Sequence, residues 1–149
     1  MADPGLSGAI APEDRELRAL LGDARTIAVV GLSSRPDRPS NSVAAYLQGH
    51  GYRVVPVNPH ETEVLGERAY PSLLDLSEDI HVDVVDVFRR AEETPDVARD
   101  AVAIGARVLW LQVGIVNEDA YRVASDAGLE VIMGVCIRCT IKRLDTTEG

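Results

Sequence analysis

The chain has 149 residues, 46% apolar and 26% charged, the balance of one soluble globular domain with a real core. Its net charge of −9, with Lys142 the one lysine among 15 basic residues, argues against nucleic acid and anionic membrane surfaces as partners. No apolar run approaches the roughly 18 residues of a membrane helix.

Residues 1–11 carry neither the cationic nor the apolar stretch of a secretory signal and read as a flexible N-terminal tail. A short amphipathic helix is expected over Pro12 to Leu21, where acidic residues precede Leu17, Leu20 and Leu21. Strands and helices then alternate. Thr26 to Leu32 is a strand, Ser42 to His50 a helix stopped by Gly51, and Tyr52 to Val57 the second strand. A loop follows, with a helical turn near Ser72 to Leu76. Val82 to Phe88 is the third strand, Thr94 to Ile104 a helix before Gly105, and Arg107 to Val113 the fourth strand. Asn117 to Ala127 makes a helix closed by Gly128, and Leu129 to Met133 is the fifth strand. The domain is expected to span 12–144, leaving 145–149 as a C-terminal tail. Two cysteines are too few for a disulfide scaffold, which fits a reducing cytoplasm.

The strands are nearly continuous in apolar residues, so both faces of the sheet must be covered. Alternation with helices implies parallel pairing and right-handed crossovers. The predicted fold is α/β: a Rossmann-like, doubly wound parallel five-stranded sheet with helices on both faces, in the strand order 3-2-1-4-5.

Ligands of such sheets lie beyond the carboxyl ends of the strands. The first end, Gly31 to Asn41, has one glycine, two prolines and two arginines instead of G-x-G-x-x-G. It can seat a pyrophosphate on amides and hydroxyls at a helix N-terminus, with Arg35 or Arg38 as countercharge. The alternative is a proline-stiffened surface loop with Ser40 or Asn41 as helix cap. At the second end stands Asn58, where a dinucleotide site places an acid on the ribose hydroxyls; a neutral amide does not repel a ribose phosphate. Asn58-Pro59 can equally begin a turn. At the third end are Phe88, Arg89 and Arg90, whose arginines can bind a ligand or pair with Glu92 or Glu93. Gln112 is the polar intrusion at the fourth end, and Trp110 reads as core.

Taken in order, Val30-Gly31-Leu32-Ser33, Arg38-Pro39-Ser40, Tyr46-Leu47 before Gly51-Tyr52, and Val55 to Pro59 form a recognisable series. It continues through Leu65-Gly66, Asp83 to Arg90, and Trp110-Leu111-Gln112 with Gly114. The series resembles the small stand-alone CoA-binding protein family, whose Rossmann-type domain is similar to the N-terminal domain of the succinyl-CoA synthetase α subunit. The resemblance implies coenzyme A or an acyl-CoA as ligand. It implies that Gly31, Ser33, Ser34, Arg38 and Ser40 surround the phosphates and that Val57, Asn58 and Pro59 line the adenosine. Phe88 and Arg89 would lie near the pantetheine, with Gln112 and Gly114 closing the far side. Family members often read Asp-Arg-Cys after the last strand; this chain has Gly134-Val135-Cys136, so that contact is not carried over.

No catalytic constellation is visible. His50, His60 and His81 fall outside the strand ends, and only His60 comes near the expected pocket. Cys136 and Cys139 form one C-x-x-C with no second ligand pair for a structural metal, so both read as ordinary buried thiols with no metal assigned. A redox motif is expected to open a helix after the first strand, not to follow the last. The position past the fifth strand would nonetheless put Cys136 on the ligand edge. The expected function is CoA or acyl-CoA binding without catalysis of its own. The alternatives are an NAD(P)-type dinucleotide-binding domain and an acyl-CoA-responsive adaptor for an unidentified protein partner.

Overall fold

The computed structural model describes residues 8–148. Its sheet is built from β1 (Thr26–Val30), β2 (Arg53–Val57), β5 (Val84–Val87), β6 (Val108–Leu111) and β7 (Glu130–Ile132). Every pairing in this sheet is parallel, in the order β2-β1-β5-β6-β7. All five residues of β1 are buried, as a strand covered on both faces requires. Ile27 and Val29 turn to one face, where α1 (Asp14–Asp23), α2 (Pro39–Gly49) and α5 (Ile137–Glu148) supply Leu17, Leu21, Leu47, Ile137 and Ile141. Ala28 and Val30 turn to the other, against Ala98 and Ala101 of α3 (Thr94–Ala103) and Ala120 and Ala124 of α4 (Glu118–Asp126). The alanines let α3 and α4 approach the sheet and each other closely.

The strand order differs from the expected 3-2-1-4-5. The third long strand, β5, pairs with β1 on the side away from β2 instead of lying beyond β2. The outer edge of β2 is already occupied: Asn58 N–H donates to the Tyr70 carbonyl at 2.8 Å, and Tyr70 N–H to the Pro56 carbonyl at 3.0 Å. Tyr70 is held there by an antiparallel hairpin, β3 (Glu63–Val64) and β4 (Glu67–Arg68), where only a loop was expected. Its two-residue turn sets Leu65 at φ 54° and Gly66 at φ 79°. A leucine in the left-handed region is no turn signal, which hid the hairpin.

Ordered backbone enters both stretches expected as tails. Residues 1–7 lie outside the described residues, but Ile10 exchanges two backbone hydrogen bonds with Met133, at 2.9 and 3.0 Å. At the other end α5 continues to Glu148, into the stretch taken as a C-terminal tail. Ile137, Ile141 and Leu144 stand at helical spacing and are at most 5% exposed, which is the burial that holds this helix. The remaining elements lie within two or three residues of their expected bounds.

Candidate functional site

With β1 between β2 and β5, the chain leaves β1 toward one face and β5 toward the other, opening a crevice at their carboxyl ends. Gly31 forms its floor. Its φ is +88°, its N–H donates to the Val57 carbonyl at 2.8 Å, and a Cβ on it would stand 2.3 Å from the Phe88 carbonyl oxygen. Only glycine permits this approach. Two cavities of about 330 and 340 Å³ meet across Gly31 and Phe88.

One lobe is bounded by Ser33, Arg35, Arg38, Pro39 and Ser40. Helix α2 opens at Pro39, one residue before the expected cap, because proline has no N–H to orphan and a φ suited to a first turn. Ser40 and Asn41 are therefore buried inside the first turn, and they fix the loop rather than cap the helix. Ser40 Oγ accepts from Ser33 N–H at 3.1 Å, and Asn41 Nδ2 donates to the Ser33 carbonyl at 2.9 Å. Ser33 Oγ accepts from Arg35 N–H at 3.1 Å. The serines are thus largely consumed in shaping the loop. Arg35 and Arg38 stand exposed at its rim, Arg35 paired with Asp37 at 3.0 Å.

The other lobe is bounded by Asn58, Pro59, His60, Arg89, Arg90 and Glu93. Asn58 Nδ2 donates to the Leu32 carbonyl at 3.0 Å and its Oδ1 accepts from His60 N–H at 2.9 Å. The Nδ2 end ties the second strand end to the first, and the Oδ1 end fixes the turn that follows Asn58. Arg89 and Arg90 both engage Glu93, with Nε–O distances of 2.6 and 2.8 Å. Hydrogen bonds from Arg90 and Arg89 hold the Glu93 carboxyl below the usual range. The sequence suggested one arginine paired with an acid; two share it.

The structure therefore brings Gly31, Ser33, Arg38, Ser40, Asn58, Pro59, Phe88 and Arg89 to the cleft. It leaves four expected residues off the walls. Ser34 is exposed beside the cleft, its N–H bonded to Glu61 at 2.9 Å. Val57 is buried in β2 and offers only its carbonyl to Gly31. Gln112 is 4% exposed and donates from Nε2 to Asp86 Oδ1 at 2.5 Å. Gly114 lies in the exposed turn after β6. Asp86, fully buried in mid-strand, was hidden in the sequence by apolar neighbours; burial pushes its carboxyl up to about 8, and Gln112 only partly opposes this.

A fold and cleft of this kind define a nucleotide-binding domain of the doubly wound class. Residues 25–142 match the family model described as a CoA binding domain, and the chain belongs to that family. It is 44% identical to the uncharacterized protein YneT of Bacillus subtilis over 127 residues, 85% of this chain and 93% of the relative. The structure of cell-free ID.343 from Thermus thermophilus matches with a TM-score of 0.85 and 41% identity, over 89% of this chain and 99% of that one. The acetyl-coenzyme A synthetase 1 of Ca. Korarchaeum cryptofilum, described as dinucleotide forming, matches with a TM-score of 0.67 and 26% identity. That match covers 76% of this chain but 27% of the synthetase. Among the described residues no helix is long and apolar enough to cross a membrane.

Proposed function

We propose that the two-lobed cleft binds coenzyme A or an acyl-CoA and performs no chemistry on it. The observation that carries this reading is the junction at Gly31, where a bare glycine floor meets the start of α2 and an arginine rim. The diphosphate would lie over Gly31 against the positive end of α2, with Arg35 and Arg38 as countercharge. The adenosine with its 3′-phosphate would take the lobe of Asn58, Pro59 and His60, where no carboxylate stands at the strand end. Asn58 acts there by holding the strand ends together, since its amide is already engaged. Phe88 and Arg89 would guide the pantetheine out. Gln112, Gly114, Val57 and the Ser34 side chain are given no contact.

Glu93 supports the non-catalytic reading. A carboxylate clamped by two guanidiniums and held below its usual range suits charge balance better than proton transfer. Titration calorimetry with CoA, 3′-dephospho-CoA and NAD tests the assignment. CoA should bind at micromolar affinity or tighter and the other two at least tenfold more weakly. NAD binding as well as CoA would overturn it in favour of a dinucleotide site.

A further inference from the structure

Cys136 and Cys139 stand at the opening of α5, so the pair begins a helix even though it follows the last strand, where no redox motif is expected. Cys136 immediately precedes Ile137, and its carbonyl already accepts the Thr140 N–H at 3.0 Å. Cys139 N–H donates to Cys136 Sγ at 3.2 Å, and the two sulfurs stand 2.7 Å apart. Neither is an ordinary buried thiol. Cys139 is exposed and Cys136 partly so, and both are free. Between them Arg138 donates to Ser42 Oγ at 3.3 Å, and Ser42 Oγ donates to the carbonyl of Pro39, a wall of the cleft. The pair is thus a neighbour of the site and no part of its lining. From this geometry we infer that Cys136 and Cys139 form a reversible dithiol–disulfide couple that exchanges with low-molecular-weight disulfides.

Accessibility assigns the order of events. Burial and the adjacent Cys139 push the Cys136 thiol up, so the exposed Cys139 enters first. Its thiolate attacks one sulfur of R–S–S–R, forming Cys139–S–S–R and releasing RS⁻, which takes up the proton Cys139 lost. Cys136 then gives up its proton and attacks Cys139 Sγ, closing the internal disulfide and releasing the second thiol as RSH. The protein has lost two electrons and two protons, and two RSH have formed. A dithiol reductant reverses both steps.

The probes are glutathione disulfide in one arm and CoA disulfide in the other, mixed with the reduced full chain, quenched in acid, alkylated and weighed intact. Wild type should lose both alkylatable thiols and release two small thiols per chain in at least one arm, and dithiothreitol should restore both. Cys136→Ser should stop at a mixed disulfide carrying one small-thiol mass, and Cys139→Ser should react at least tenfold more slowly. Faster oxidation by CoA disulfide would tie the couple to the cleft's ligand, and equal rates would make it general; either upholds it. Oxidation in a protein that fails to bind CoA by calorimetry would also uphold it, while removing the CoA reading. Wild type that keeps both thiols in both arms, or that halts at the mixed disulfide, overturns it.

Discussion

Asp83 and Asp86 lie three residues apart around one strand and meet opposite environments. Asp83, at the amino edge of the sheet, accepts from the N–H groups of Arg25 and Thr26 at 2.8 and 3.0 Å, with Arg107 and His81 at 3.9 and 3.4 Å. Asp86, inside β5, has one donor, Gln112, and an Oδ2 without a partner. The contrast extends to the two edges. At the amino edge polar groups close on one another, which fastens β1 to its neighbours. Toward the carboxyl edge Asp86 Oδ2 is left unmatched, and Arg35, Arg38, Arg89 and Arg90 line an open cleft. On the proposed function, the amino edge serves only to fasten the strands, and recognition falls to the carboxyl edge.

The largest test of this contrast is pH. The folded-state pKa of Asp86 is raised above its ordinary value, so the folded protein holds a proton that the unfolded chain releases between about pH 4 and 8. Its contribution is therefore greatest in acid and is lost as pH rises toward 8, by about 1.4 kcal/mol per unit. Denaturant unfolding of wild type and Asp86→Asn across pH 5–8 should show the variant gaining steadily on wild type; parallel curves would mean that Asp86 is not held neutral.

Gly31→Ala should cost about 3 kcal/mol in the same assay, through a left-handed φ and a Cβ driven onto the Phe88 carbonyl. CoA affinity should fall with it, because the glycine floor is shared by both lobes.

At the closed edge, Asp83→Ala should remove roughly 2 kcal/mol by orphaning two backbone donors. CoA affinity measured below the melting range should remain within twofold of wild type. A matching loss of affinity would erase the division between the two edges.

The smallest effect belongs to the open edge. Arg38→Ala should leave the melting temperature unchanged and weaken CoA binding by about 1.5 kcal/mol at low salt, less at high salt. An equal loss at both ionic strengths would give Arg38 a steric role only.

Much of this was legible in the sequence because the relevant signals are local. The run Ile27 to Val30 declared a strand covered on both faces, and three helices ended at glycines as read. What escaped depended on partners distant in the chain. Strand order rests on Tyr70 occupying the edge of β2, a pairing that no periodicity announces. Gln112 looked free because Asp86, 26 residues away, could not be matched to it without the sheet register. Asn58 lines the cleft, yet its amide is spoken for by Leu32 and His60, partners that its position at a strand end does not announce. The spacing of Ile137, Ile141 and Leu144 was there to be read, and α5 was missed by ending the pattern at the fifth strand.

The sheet also ends in a particular way on each side. Val57 of β2 bridges to Tyr70, and Met133, just past β7, bridges to Ile10. Unpaired strand edges invite pairing with other chains. Here each outermost strand meets a short, irregular piece of its own chain that breaks the ladder after a single bridge. The chain thereby caps its own sheet, making open-ended growth by strand addition unfavourable at both sides while the cleft end stays accessible.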